Sequence, residues 1–114
     1  MQILIFEANP LIGEDLRDSA RATGAQVRYV RHAPSAKSAL QGHGHGVIIV
    51  MSGRSLTQHQ RTLLPVFDEM QTRVVLFAPG RKIIANIMPE AMLPDPFTER
   101  DITETLNELL RTGA

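Results

Sequence analysis

The sequence predicts an α/β protein in which a five-stranded parallel sheet is covered by helices on both faces. Three observations lead to this fold class. Short apolar segments recur along the chain, segments with helical periodicity separate them, and glycine or proline lies near most junctions. Apolar strands joined by helices are typical of a parallel sheet buried on both faces. Right-handed crossovers then give a doubly wound sandwich of three layers, with a strand and a helix repeated five times.

The strands are predicted from their apolar content and periodicity. Residues 47–51 form the most hydrophobic segment, which indicates the central strand, whereas residues 26–30 alternate between apolar and polar, which favours an edge strand. Strands are expected over residues 3–6, 26–30, 47–51, 73–77 and 91–93.

The first two helices follow from cap residues and periodicity. Asn9 and Pro10 are typical of a helix start, and Gly24 is typical of the end of a helix. The buried face of this first helix is expected to contain Ile12, Leu16 and Ala20. A second, short helix is expected over residues 34–40.

The later helices are predicted in the same way. Ser55 or Thr57 could cap the third helix, and Pro65 within it is expected to kink or split it. Residues 82–87 leave room for a short helix only, and Thr98 with Asp101 resembles a capping box before the last helix. The apolar faces of the third and last helices are Leu56, Gln60, Leu63, Phe67 and Met70, and Ile102, Leu106 and Leu109.

Length and composition restrict the class of protein. A chain of 114 residues is expected to form one domain, residues 1–114, around a single core. Twelve basic and twelve acidic residues give no net charge, which argues against nucleic acid as the main partner. The chain has no cysteine and no apolar segment near the ~20 residues of a membrane span. We therefore expect a cytoplasmic protein without thiol chemistry.

Ligands of such sheets bind beyond the carboxyl ends of the strands, and the residues at these positions carry a resemblance. Segments 3–7 and 10–12, the strand 47–51, and residues 95–97 before the last helix resemble the receiver domain of two-component response regulators. The resemblance covers nearly the whole chain and implies a flavodoxin-like fold. It also implies an acidic pair after the first strand, a phosphoaccepting aspartate after the third, Ser or Thr after the fourth, and Lys-Pro after the fifth. In this family the peptide bond at Asp95–Pro96 would be cis.

The sequence departs from this family pattern at every position that carries chemistry. Glu7 keeps one acid of the pair, but Ala8 replaces the other; Met51 stands at the phosphoacceptor position, Ala78 at the hydroxyl position and Asp95 at the lysine position. Phosphoryl transfer needs a nucleophilic oxygen, a divalent cation and a positive charge that stabilises the transferred group. A thioether cannot form an acyl phosphate. We therefore predict a degenerate pseudo-receiver that is not an enzyme, has no catalytic residue, and binds Mg²⁺ weakly or not at all.

Two loops allow a functional interpretation as well as a purely structural one. Ser52, Gly53 and Arg54 could hold an anion at a helix N-terminus, but a plain βα loop with a capping serine is the favoured interpretation. His43 and His45 could ligate a transition metal, but no third ligand is evident, and a flexible connection is the simpler interpretation. No metal site is predicted.

Two hypotheses for function remain open. The first is a signalling module that binds a protein partner or a second copy of itself. In receivers, the face built by the helix before the last strand, that strand and the last helix is a common interface; here it would contain Ile84, Ile87, Met88, Met92 and Phe97. The second is a sensor of a small ligand or anion in the altered pocket, formed by Glu7, Asn9, Met51, Ser52 and Arg54.

Overall fold

The structure, a computed structural model, describes residues 1–78 and 88–112. These residues form five strands and four helices. In chain order the elements are β1 (Ile3–Phe6), α1 (Pro10–Arg21), β2 (Val27–Val30), α2 (Ala33–His43), β3 (Ile48–Ser52), α3 (Gly53–Met70), β4 (Arg73–Phe77), β5 (Ala91–Met92) and α4 (Glu99–Thr112). The helix expected over residues 82–87 lies outside the described residues.

The five strands form one parallel sheet in the order β2-β1-β3-β4-β5. Neighbouring strands are in register, with Ile5 opposite Val50 and Met51 opposite Leu76. β2 lies at one edge, as its alternating sequence predicts. The strand order reverses between β1 and β3, which is where this class of sheet usually opens a crevice for a ligand.

Successive side chains of each central strand point to opposite faces of the sheet and supply two separate cores. Leu4, Phe6, Ile49 and Met51 belong to the core that also contains buried side chains of α2 and α3. Ile3, Ile5, Ile48 and Val50 belong to the core shared with α1 and α4. The doubly wound, flavodoxin-like sandwich predicted from the sequence is confirmed.

Two of the predicted helix starts are confirmed. The Asn9 side chain accepts a hydrogen bond from the Leu11 N–H at 3.0 Å, and Pro10 opens α1. Before α4, Thr98 N–H donates to Asp101 Oδ2 at 2.8 Å and Asp101 N–H donates to Thr98 Oγ1 at 3.2 Å, which forms the expected capping box.

The remaining helices differ in detail from the prediction. The cap of α3 is Ser52, whose Oγ accepts from Ser55 N–H at 3.0 Å, so the helix begins before both predicted caps. The backbone of α3 departs from helical geometry at His59 rather than at Pro65. α2 continues to His43, so that this histidine lies in a helix instead of a loop. In α1, Ile12 is 40% exposed, and Gly13 takes a place on the buried face.

Candidate functional site

Several hydrogen bonds within the chain hold the loop between β1 and α1. Glu7, which is buried, accepts the Asn9 N–H on its carboxylate Oε1 at 3.1 Å. Its backbone carbonyl accepts the Tyr29 hydroxyl at 3.1 Å, and the Ala8 carbonyl accepts both Nε and Nη2 of Arg31 at 3.2 Å. Glu7, the one acid that remains of the pair in the family pattern, therefore stabilises the turn that follows it.

Tyr29 reaches this loop across a glycine of α1. A Cβ atom at Gly13 would collide with the ring of Tyr29, so the glycine makes room for that ring beside the helix. The ring lies over α1 while its hydroxyl donates to the Glu7 carbonyl. Gly13 and Tyr29 together fix the position of the loop that begins at Glu7.

The end of β3 presents no carboxylate. Met51, at the phosphoacceptor position, has no exposed surface and packs with Leu4, Leu56 and Leu63 in the core below α2 and α3. The next residue, Ser52, uses its hydroxyl as the cap of α3. Gly53 is buried and Arg54 is exposed. Because the cap already binds the Ser55 N–H, one amide that an anion would need at this loop is occupied.

The ends of β4 and β5 are open by contrast. Ala78, at the position of the family's hydroxyl, is exposed and has a φ of 44°, in the left-handed region. Asp95, at the position of the family's lysine, is also exposed, and its peptide bond to Pro96 is cis. Both residues line one groove, whereas Glu7 and Met51 are not among its residues.

This groove lies between α1 and the start of α4 and has a volume of about 650 Å³. Its floor consists of the buried side chains Leu16, Phe77 and Ile102, with Phe97 beside them at a ring-centroid distance of 5.4 Å from Phe77. Four exposed carboxylates line its sides, and we call it the acidic groove; they are Asp15, Asp18, Asp95 and Glu99.

Two basic side chains follow or precede carboxylates of the groove in sequence; one approaches a single groove carboxylate, and the other pairs with a residue outside the groove. Arg17 lies 3.5 Å from Asp18 through its Nε. Arg100 donates its Nε to Glu104 Oε1 at 2.7 Å, and this hydrogen bond raises the pKa of the fully exposed Arg100. Within residues 1–78 and 88–112, Asp15, Asp95 and Glu99 have no ion-pair partner. The groove is therefore a region of concentrated negative charge on a protein with no net charge.

The predicted interface residues are placed in part. Met88 is 94% exposed and Met92, in β5, is 55% exposed, although large apolar side chains of this kind are usually buried. Phe97 is half-buried against Phe77. Ile84 and Ile87 lie outside the described residues.

The described residues hold neither a cluster of metal ligands nor a membrane-spanning helix. No three His, Cys, Asp or Glu side chains of the described residues come together as the ligands of a metal ion would. His43 ends α2, and Gly44 with a positive φ separates it from His45. Of the helices described, none combines the length and the apolar character that crossing a membrane requires.

No protein-family model matches the chain, and no curated protein is significantly similar to it in sequence. A solved structure is similar throughout. It is described as an atypical orphan response regulator that revealed a new phosphorylation-independent regulatory mechanism. The two chains are 10% identical, the match covers 97% of this chain and 96% of the other, and the TM-score is 0.64.

The chain has the fold of a response-regulator receiver domain. The resemblance noted in the sequence is thereby confirmed for the architecture. At 10% identity the likeness carries the fold alone, and the chemistry of the site follows from its own residues. The sequence predicts that methionine, alanine and aspartate stand at the family's phosphoacceptor, hydroxyl and lysine positions, which would make this receiver fold degenerate.

Sequence reasoning missed the acidic groove. Its residues come from α1, the end of β4, the loop after β5 and the start of α4, which are far apart in the chain. One signal was available: Asp15 and Asp18 are three residues apart in a helix, and Asp95 and Glu99 follow the strand end at which ligands of this fold gather.

Proposed function

We propose that this protein is a receiver-like signalling domain that accepts no phosphoryl group and acts by binding another protein. The observation that carries the proposal is the state of Met51, which stands at the phosphoacceptor position and is completely buried in the core. A side chain there could not reach a phosphodonor even if its chemistry allowed attack.

The surroundings of Met51 support the same conclusion. The Glu7 carboxylate, the remaining candidate ligand for Mg²⁺ in the family pattern, is buried and hydrogen-bonded to its own turn. Asp95 places a negative charge where the family pattern has a lysine that would attract the phosphoryl group. Nucleophile, cation site and positive charge are all replaced, so the domain catalyses nothing by this route.

The solved structure of similar fold is described as regulating without phosphorylation. The same kind of regulation is our proposal for this chain. An output that does not depend on phosphorylation must depend on a surface whose binding to a partner carries the signal, within a pathway of the two-component or phosphorelay type.

The surface that we propose for this role, the β5 face, consists of Met92 in β5 and of Met88, which precedes this strand. Both side chains are largely exposed, and β5 is the last strand in the sheet order of the described residues. Exposed methionines adapt well to a partner surface, and an uncovered strand edge favours pairing with another chain. We propose a second copy of this chain as the partner on this face.

Sedimentation velocity over a range of protein concentrations tests this face. We expect concentration-dependent dimerisation that is weakened about tenfold or more by Met88→Lys combined with Met92→Lys, because charges would replace buried apolar contacts. Leu11→Lys is the matched control, since Leu11 is 75% exposed at the start of α1, away from β5. A wild-type protein that stays monomeric, or equal weakening by the control, would exclude the proposed dimer.

The alternative, a small-ligand sensor at Glu7, Asn9, Met51, Ser52 and Arg54, has less support. Met51 is buried away from any opening, Glu7 braces a turn, and Ser52 caps a helix. These side chains are already used in the fold.

A further inference from the structure

We propose that the acidic groove between α1 and α4 docks a peptide segment of another protein, one that carries a lysine or arginine beside an apolar side chain. This surface is separate from the β5 face. The inference rests on the proposed function only in that both assign protein binding to the domain. It adds a second surface and states the chemistry of its partner.

The floor of the groove calls for an apolar side chain. Phe77 and Ile102 form the bottom, and Phe97 stands at the side with its ring tilted against Phe77. Ile12, which a regular amphipathic α1 would bury, is 40% exposed at the same groove. Covering this floor with an apolar side chain removes apolar surface from water, which is favourable by roughly 25 cal/mol per Å².

The sides of the groove call for a positive charge. Asp15 and Asp18 approach from α1, and Asp95 and Glu99 approach from the opposite side. None of the described residues that line the groove is a lysine or an arginine, and the guanidinium of Arg100 is turned along α4 to Glu104. Carboxylates held on both sides of an apolar floor repel one another in the free protein, and a cationic side chain between them relieves that repulsion.

The same charges exclude other classes of occupant. Nucleic acid, phosphate and anionic lipid would each bring negative charge to four carboxylates. A groove of about 650 Å³ lies within the range of small-ligand pockets, and it can take one apolar and one long cationic side chain, with the backbone of the segment outside. Lysine and arginine suit this arrangement because their aliphatic stems pack on apolar surface while the charged ends reach the carboxylates.

A two-dimensional amide NMR titration of the full chain tests the proposal. The probe is a short peptide of alternating lysine and leucine; peptides of alternating glutamate and leucine, and of alternating lysine and serine, are the controls. We expect saturable shifts at Asp15, Phe97 and Glu99 with the first peptide, at least about tenfold weaker binding of the lysine-serine peptide, and no binding of the glutamate-leucine peptide.

Paired variants of equal charge sharpen the test. Asp15→Asn combined with Glu99→Gln is expected to weaken binding of the lysine-leucine peptide about fivefold. Glu14→Gln combined with Asp68→Asn changes the net charge equally at exposed positions outside the groove and is expected to change the dissociation constant less than about twofold. The wild-type fold of each variant is checked by its amide spectrum without peptide.

Three results would overturn the proposal: shifts centred outside the groove, equal weakening by both paired variants, or equal binding of the glutamate-leucine peptide. Groove resonances that move with protein concentration in the absence of peptide would also overturn it, in favour of a second copy of this chain. Failure of the β5 dimer leaves these readouts unchanged, because Met88 and Met92 are not among the groove residues.

Discussion

The carboxyl-terminal edge of the sheet has two halves that use their polar groups differently. At the ends of β1 and β3, Glu7 and Ser52 bond to the backbone of their own loops, and Met51 is sealed in the core. At the ends of β4 and β5, Ala78 and Asp95 lie exposed around an open groove. The polar groups at the ends of β1 and β3 are used within the fold, whereas the open surface at the ends of β4 and β5 is available for contacts with other molecules.

The largest effect on stability is expected for Met51→Asp, which places a carboxylate where the family pattern has one. An unpaired charge in this fully buried position should lower the free energy of unfolding by about 3–5 kcal/mol at neutral pH. Burial raises the pKa of a carboxyl group above its unfolded value, so the part of the loss that is due to ionisation should be absent below the unfolded pKa and complete above the folded one, while the cost of the lost methionine packing remains at every pH. Chemical denaturation at several pH values measures it.

Met51→Leu is the control for this change. A swap of similar volume should cost less than about 1.5 kcal/mol at every pH. If Met51→Asp is as stable as Met51→Leu at neutral pH, then position 51 faces water, and the closed half of the edge is in fact open.

A smaller effect is expected at the support of the β1–α1 loop. Gly13→Ala should destabilise the protein by about 1–2 kcal/mol, because the new methyl group would displace Tyr29 from the Glu7 carbonyl. An alanine in place of a helical glycine usually stabilises instead. Gly42→Ala in α2, where nothing lies within 4 Å of the new Cβ, is the matched control and should stabilise by up to about 1 kcal/mol. If both variants are more stable than the wild-type protein, the packing of Tyr29 on α1 is contradicted.

Removing the hydrogen bond of the Glu7 side chain within the same loop should have a still smaller effect on the free energy of unfolding. Glu7→Ala leaves the Asn9 N–H without its acceptor and should cost about 1 kcal/mol. Glu7→Gln keeps an acceptor oxygen and should cost about half as much. Thermal unfolding with and without Mg²⁺ measures both, and wild-type protein should gain no stability from the ion. Stabilisation by Mg²⁺ that disappears in Glu7→Ala would show that Glu7 is a cation ligand.

The open half should tolerate change best. Asp15→Asn should alter the free energy of unfolding by less than about 0.5 kcal/mol, because the side chain is exposed and has no ion-pair partner among the described residues. The sign should be stabilising at low salt, since one of four neighbouring carboxylates is neutralised, and the gain should shrink as salt screens the charges. A loss above 1.4 kcal/mol, a tenfold change in the folding equilibrium, would mean that Asp15 supports the fold.

The sequence predicted the features that depend on neighbours in the chain. Apolar segments such as residues 47–51 identify buried strands, and local hydrogen bonds make Asn9 and the Thr98–Asp101 pair recognisable as caps. The start of α3 was less predictable, because Ser52, Ser55 and Thr57 are all good caps and tertiary packing decides among them. The backbone break in α3 lies at His59, whose ring is 5.8 Å from that of Phe6 in β1, a tertiary contact that no local pattern specifies.

Only those features of the candidate site could be predicted that follow from the chemistry of a single side chain. The losses at Met51, Ala78 and Asp95 are visible in the sequence once the receiver pattern is recognised. The Met51 side chain points into the core below α2 and α3 because its position in β3 faces that side of the sheet. Which side a strand position faces depends on the strand register. The acidic groove needs four distant segments to meet, which no local pattern specifies.

A two-dimensional amide NMR titration with Mg²⁺ and beryllofluoride, a mimic of the phosphoryl group, tests the central claim most directly. The resonances of Glu7, Met51 to Arg54 and Ala78 are expected to stay unchanged at every concentration, because Met51 offers no carboxylate and the Glu7 carboxylate is hydrogen-bonded to its own turn. Saturable shifts at these residues would show that the pocket still binds the ion or the phosphoryl mimic, and would contradict a signalling mechanism independent of phosphorylation.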